Sequence, residues 1–228
     1  MALTRIVTSR LTRSVLLNNI SPGELEEYFG PSYPKIAQFS SLLVDLGIPR
    51  GLIGPREADR IWERHILNCA GVCEVLPSEG TILDLGSGAG LPGLIIAIMR
   101  PGQNVILLES LQRRTKWLSE MADMLDLANV TVHRGRAGET LKLPEIMAVT
   151  ARAVAPLTKL MVWSAPILTS GGALYALKGE TAVSEIFEAN TAAGAKKLIK
   201  EWIFPPEILT AETLKPVTPT TIVKVTRK

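Results

Sequence analysis

The chain has 228 residues, 46% of them hydrophobic and 21% charged, which suits one α/β domain, alone or with a small attachment. No run of about 18 apolar residues occurs, so a membrane-spanning helix is not expected. The net charge of +3 permits a nucleic-acid partner without demanding one.

At the N-terminus, Arg5, Arg10 and Arg13 precede the first acid, Glu24. Transit peptides share this bias. The apolar stretch Val15-Leu16-Leu17 is too short for a secretory signal, so residues 1–30 are expected to be a flexible or loosely ordered segment outside the fold. Residues 31–78 are expected to form a helical extension. Ile36, Phe39, Leu43 and Leu46 mark one helix face ending near Gly47. Pro55 suits the first position of a second helix, where Ala58, Ile61, Trp62, His65, Cys69, Val72, Cys73 and Leu76 form an apolar stripe. Cys69 and Cys73 read as small buried residues of a reduced, cytoplasmic protein, and two cysteines alone make a poor zinc site.

From residue 79 to 228 short apolar runs alternate with longer amphipathic ones. Strands are expected at Thr81–Leu85, Val105–Glu109, Val130–His133, Met147–Ala153, Ala173–Leu177 and Thr221–Thr226. Helices are expected from Pro92 to about Met99, along Leu111, Leu118, Ala122 and Leu125, and after Pro156 along Leu157, Leu160, Met161, Ser164 and Leu168. Alternation of this kind implies a mostly parallel, twisted sheet with helices on both faces and an antiparallel edge near the end.

The informative segment is the Gly-rich turn from Asp84 to Gly93, which follows the first strand and opens a helix. Gly88, Gly90 and Gly93 match G-x-G-x-x-G, and Glu109 ends the second strand, as in a dinucleotide fingerprint. Two details favour S-adenosylmethionine instead. A pyrophosphate needs free N–H groups at the helix N-terminus, and Pro92 has none to give. Asp84 stands where a carboxylate orders the loop that receives the methionine ammonium, and Glu109 where an acid accepts hydrogen bonds from ribose hydroxyls. An NAD-dependent oxidoreductase is the competing enzyme reading. A non-enzymatic RNA-binding assembly factor that keeps the fold is the other.

Several phrases in order resemble one family: Arg64-His65-Ile66-Leu67-Asn68, the turn Asp84 to Gly93, Leu108-Glu109-Ser110, Arg134-Gly135-Arg136-Ala137, Ala151-Arg152-Ala153 and Ala176-Leu177-Lys178-Gly179. Together, over roughly residues 35 to 180, they resemble the small-subunit ribosomal RNA methyltransferase G family, also called glucose-inhibited division protein B. The resemblance implies a Rossmann-like class I methyltransferase fold and S-adenosyl-L-methionine as cofactor. It further implies N7-methylation of a guanine in 16S ribosomal RNA, guanine 527 in the 530 loop. By position it places the cofactor site on Gly86, Leu91, Ala137, Gly138 and Arg152; Ser87 and Gly88 of the turn and Glu109 at the second strand's end are further candidate cofactor contacts. Gly138 stands where the family often has an acid; the change is harmless if backbone groups hold adenine there, and Glu139 must substitute if a carboxylate is required.

Methylation of guanine N7 asks little of the protein, because the sulfonium methyl is activated and N7 has an in-plane lone pair free at neutral pH. An in-line approach suffices, without general base or covalent nucleophile. No cysteine lies beyond Cys73, and no Asn/Asp-Pro-Pro-aromatic string follows the fourth strand. Those absences argue against pyrimidine-C5 and exocyclic-amine chemistry. Arg152 is expected to orient the base, a phosphate or the cofactor loop. Arg64, Arg136 and Lys178 are candidate RNA contacts, as are Arg60, Arg113, Arg114 and Lys116 if their helix faces are not simply solvated. His65 reads as a hydrogen-bonded core residue. The expected partner is 16S rRNA or the small-subunit particle, with a monomeric protein and no metal or membrane.

Overall fold

The computed structural model describes residues 20–139, 142–191, 200–215 and 217–228. Helix α1 (Pro22–Phe29) begins at a capping box. The Glu24 amide donates to Ser21 Oγ at 3.2 Å, and the Ser21 amide donates to Glu24 Oε2 at 2.7 Å. Each half satisfies an amide that the first helical turn leaves orphaned. Leu25 and Phe29 are buried, and the Phe29 ring lies 6.2 Å from that of Trp62. This corrects the expectation of a loosely ordered segment up to residue 30. Residues 20–30 belong to the fold, while residues 1–19 lie outside the described residues.

Helix α2 (Tyr33–Leu42) continues through a wider turn, Leu43–Gly47, and buries Ile36, Phe39 and Leu43. A second helical run follows in four pieces, Pro55–Arg60, Ile61–Leu67, Asn68–Ala70 and Gly71–Glu74. Its expected stripe is buried at Ile61, Trp62, Cys69, Val72, Cys73 and Leu76. The end of the run is tied down by Arg100, whose guanidinium donates to the carbonyls of Cys73, Leu76 and Pro77.

The strands are β1 (Thr81–Leu85), β2 (Val105–Glu109), β3 (Val130–Arg134), β4 (Ile146–Arg152), β5 (Leu168–Lys178), β6 (Glu207–Ala211) and β7 (Thr220–Thr226). The sheet order is β3-β2-β1-β4-β5-β7-β6. The first five strands pair in parallel, and β7 runs antiparallel to β5 and β6. Helices α3 (Gly93–Met99), α4 (Gln112–Met124), α5 (Leu157–Ser164) and α6 (Ala182–Thr191) cover the two faces. Period-two alternation divides the core. Ile82, Val105 and Leu107 pack with α3, α4 and the N-terminal helices, whereas Leu83, Leu85, Ile106 and Leu108 pack with α5 and α6.

Two sequence boundaries move. Helix α5 stops at Ser164, so Leu168 opens β5 and does not extend the helix stripe. Strand β6 is not anticipated by the sequence; four of its five side chains are not fully buried, so it lacks the apolar run that marks the inner strands. None of the described helices is long and apolar enough to cross a membrane. The chain leaves β1 toward β2 on one side and returns to β4 on the other. That makes the carboxyl ends of β1 and β4 the switch point where doubly wound sheets bind ligands.

If α1 is part of the cooperative fold, Ser21→Ala should cost about 1 kcal/mol through the lost cap and Leu25→Ala about 2–5 kcal/mol. Chemical denaturation checks both. A Leu25→Ala midpoint equal to the parent's would detach α1 from the core.

Candidate active site

The site is built on the turn after β1. Asp84 is buried at the strand end, with Oδ2 accepting from the Gly93 amide at 3.0 Å and Oδ1 from Thr150 Oγ1 at 3.1 Å. Burial pushes its carboxyl up to about 6, against the opposing pull of hydroxyl and amide donors and of Arg152. Gly93 must be glycine here: a Cβ would stand 2.3 Å from Leu107 Cδ2 and 2.6 Å from Asp84 Oδ2. Ser87 donates its hydroxyl to the Asp84 carbonyl at 2.9 Å, and the amides of Gly86 and Ser87 donate to Leu108 O.

This geometry disposes of the dinucleotide reading. The start of α3 has Pro92 at its cap, and the next two amides are engaged by Asp84 Oδ2 and by Gly90 O. The donors a pyrophosphate would need are absent or taken by the protein.

Glu109 ends β2, nearly buried. Its Oε2 accepts from the Gly88 amide at 3.1 Å, its Oε1 from the Leu111 amide at 2.9 Å and the Ser110 hydroxyl at 3.4 Å, and Arg114 Nη1 stands 3.7 Å away. A carboxylate has about four lone-pair sites, so these contacts fix its orientation and leave one site, on Oε2. Glu109 faces a cavity of about 310 Å³ lined also by Gly86, Ser110, Arg136, Ala137, Val154 and Trp163.

A wider cavity of about 670 Å³ opens beyond Val154, which lines both. Its walls include Arg64, His65, Arg152, Lys178 and Glu185. Arg152 ends β4. It donates from Nη2 to His65 Nδ1 at 2.6 Å and from Nη1 to Cys69 Sγ at 2.8 Å. His65 Nε2 meets Glu57 Oε2 at 2.8 Å, and Arg64 donates to Glu57 Oε1 at 3.1 Å. Lys178 pairs with Glu185 at 2.7 Å and donates to Ala155 O at 2.9 Å. Burial pushes the Cys69 thiol up and the Cys73 thiol to about 12, so neither supplies a thiolate near neutrality.

The structure thus sorts the residues singled out from sequence. Gly86, Glu109 and Ala137 meet at the smaller cavity, and Arg64, Arg152 and Lys178 at the wider one. Arg152, given to the cofactor site by the resemblance, faces the wider cavity. Arg136, expected to meet RNA, faces the smaller one. Ser87 and Leu91 are buried behind the turn, and Gly88 acts through its amide on Glu109. Gly138 has a φ of +89°, and a Cβ there would stand 3.0 Å from Trp163 Cδ1. Glu139 turns its carboxylate back to the Arg136 amide at 3.3 Å. Sequence reasoning missed Trp163 and Val154. Trp163 does stand off the apolar stripe of α5, which is the one signal it offers. His65 is hydrogen-bonded, as expected, but it also lines the wider cavity.

A family model described as rRNA small subunit methyltransferase G (GidB) matches residues 32–204. A ribosomal RNA small subunit methyltransferase G from Thermobifida fusca (strain YX) is 53% identical over 163 residues, 72% of this chain and 69% of that one. The protein of that name from Streptomyces avermitilis is 49% identical over 173 residues, 75% of this chain and 73% of that one. Among solved structures, M. jannaschii TYW2 in complex with AdoMet matches with a TM-score of 0.54 at 15% identity, over 72% of this chain and 76% of that one. At that identity the likeness shows the fold, which is that of a Rossmann-like methyltransferase.

The raised Asp84 carboxyl gives a signed stability effect. Between its ordinary value of 3.8 and about 6, folded Asp84 keeps a proton that the unfolded chain has released. Its stabilising contribution is full below the lower value and is lost as pH rises through about 6. Asp84→Asn keeps an acceptor for Gly93 and does not titrate. Unfolding free energies measured from pH 4 to 7 should show a fall in the parent relative to the variant. Parallel curves would mean that Asp84 is not desolvated.

Proposed function

The chain belongs to the rRNA small subunit methyltransferase G family, and from that premise we propose that it methylates N7 of a guanine in 16S rRNA, guanine 527 of the 530 loop, using S-adenosylmethionine. The observation that carries this reading is the pair of adjoining cavities at the switch point. One is narrow and holds an anchored carboxylate; the other is wide and holds cations, and Val154 stands between them.

The narrow cavity fits an adenosyl group. Glu109 has a lone pair left on Oε2 for a ribose hydroxyl, Ala137 and Trp163 offer apolar walls for adenine, and Gly86, at a φ of +74°, lets backbone approach closely. When bound, S-adenosylmethionine supplies an electrophilic methyl group on a sulfonium. This chain's part is to orient. The wide cavity admits a nucleobase, and Arg152 and Arg64 present cations to its O6 edge or to neighbouring phosphates. Lys178, held by Glu185 and Ala155 O, orders the rim. Neither buried thiol nor the bonded imidazole stands as a nucleophile, which suits a direct in-line displacement. Alignment of this kind can supply up to about 7–11 kcal/mol of the barrier.

The test is transfer of labelled methyl to small-subunit RNA and to deproteinised particles, with the modified nucleoside identified by mass. N7-methylguanosine at one site is expected. Glu109→Ala should weaken cofactor binding, measured by calorimetry. Arg152→Ala should leave that binding within about twofold and lower kcat/KM for RNA about ten- to a hundredfold, the worth of hydrogen bonds from a charged donor. A methylated nucleoside other than N7-methylguanosine would overturn the target. Loss of cofactor binding in Arg152→Ala would return that residue to the cofactor site.

A further inference from the structure

The wider cavity contains a chain of groups that a direct methyl transfer does not itself consume. Glu57, from the turn Pro55–Arg60, takes His65 Nε2 at 2.8 Å on one oxygen and Arg64 at 3.1 Å on the other. His65 Nδ1 takes Arg152 Nη2 at 2.6 Å, and Cys69 Sγ takes Arg152 Nη1 at 2.8 Å. A guanidinium donates only, so His65 Nδ1 must carry a lone pair and Nε2 must carry the proton. An imidazolium would have a donor at both nitrogens and nothing to offer Arg152. The Glu57 carboxylate accepts from Nε2–H and so selects the required tautomer. Arg152 is thereby gripped from behind at both terminal nitrogens, by a ring nitrogen and a sulfur, while it lines the wider cavity. A long side chain at a strand end otherwise keeps much of its rotamer freedom and loses it on meeting substrate.

We propose that Glu57 and His65 are positioning residues that hold the Arg152 guanidinium ready for the RNA, and that the hold requires neutral His65 with its proton on Nε2. This rests on the reading of Arg152 as a substrate contact. The surrounding charges fit it. Burial and the Arg152 charge push His65 below its ordinary value of 6.5, Glu57 pulls it up, and Arg64 on its own helical turn pushes it down again. Behind Arg152 lie Cys69, kept as a thiol by burial, and the Asp84 carboxylate. His65 is therefore neutral at neutral pH. As pH falls through its lowered value, a second cation forms beside Arg152 and the grip opens.

The experiment uses the whole protein. It has two histidines, His65 and His133, so imidazole nitrogen NMR can follow His65 directly. The expected spectrum shows the Nε2–H tautomer. Arg152→Ala should raise the His65 pKa by removing a facing cation, and Glu57→Gln should lower it by removing an anion. Methyl transfer to small-subunit RNA should lose activity on the acid side with the His65 pKa, and in Glu57→Gln that limb should move to lower pH. His65→Ala should reduce turnover about ten- to a hundredfold with cofactor affinity unchanged. His65→Asn keeps an acceptor near the Nδ1 position. It should recover part of that loss and lose the part of the acid limb that follows His65, leaving only what Asp84 contributes near pH 6, with thermal unfolding confirming that both variants fold. An Nδ1–H tautomer, a His65 pKa indifferent to Arg152→Ala, or equal inactivity of His65→Ala and His65→Asn would overturn the proposal. If the parent showed the expected tautomer and shifts yet methylated no RNA, the grip on Arg152 would stand and the RNA reading it serves would fall.

Discussion

The site hangs on one buried carboxylate. Asp84 leaves β1 with its side chain in the core, an arrangement that is costly unless its oxygens are satisfied. They are satisfied by the first amide of α3 and by a hydroxyl of the neighbouring strand β4. Those two bonds fix the distance between strand and helix, and so the path of the glycine-rich turn that joins them. The turn carries Gly88, whose amide orients Glu109 on β2. β4 carries Thr150, two residues before Arg152. One carboxylate thus indexes both cavities: the narrow one through the turn, the wide one through the strand. The Gly93 position follows from the same constraint, because any Cβ would collide with the oxygen that receives its amide.

The boundary between the cavities is equally local. After Arg152 the backbone passes through Ala153 at a φ of +54°, a left-handed conformation uncommon for a residue with a Cβ. The reversal brings Val154 against Gly86, where a Cβ would meet Val154 Cγ2 at 2.9 Å. Strain at one residue and the absence of a side chain at the other therefore produce the shared wall. Neither feature contributes to a hydrophobic core in the usual sense. Both make sense as the means of setting two binding spaces side by side.

Much of this is legible in the sequence, and the limits follow physical lines. The buried parallel strands announce themselves as apolar runs, and the turn from Asp84 to Gly93 announces itself through glycines that a turn of this shape requires. Strand β6 does not, because it is an exposed edge held mainly by its ladder with β7. Helix α1 escapes because eight residues with two buried side chains carry little periodic signal; only the Ser21/Glu24 pair marks it. Within the site, Asp84, Gly86 and Glu109 follow from their places at strand ends. Arg152 was legible as a site residue but not its side of the wall, since that depends on the turn at Ala153. The Glu57–His65 pair joins residues eight apart across a change of helical geometry, from the tight turn Pro55–Arg60 to the wide turn Ile61–Leu67. Regular helical spacing would leave them about 12 Å apart along the axis.

The charges of the wide cavity suit the proposed reaction better than a count of cations suggests. As a methyl group passes to a base, positive charge passes with it, and an uncompensated arginine nearby would oppose that movement most strongly in a dry, low-dielectric pocket. Here the cations are not uncompensated. Lys178 is matched by Glu185, and Arg64 by Glu57. Arg152 is the exception, held by an imidazole nitrogen and a thiol, both neutral. Neutral bonded partners, with the Asp84 carboxylate acting only from behind, leave its remaining N–H groups to whatever enters the cleft, whereas a carboxylate bonded in their place would have taken them. A cation held in this way is suited to an anionic or oxygen-rich partner and to a task of alignment. That is the division of labour a direct displacement requires: the reactive methyl is brought by the cofactor, and the protein supplies placement.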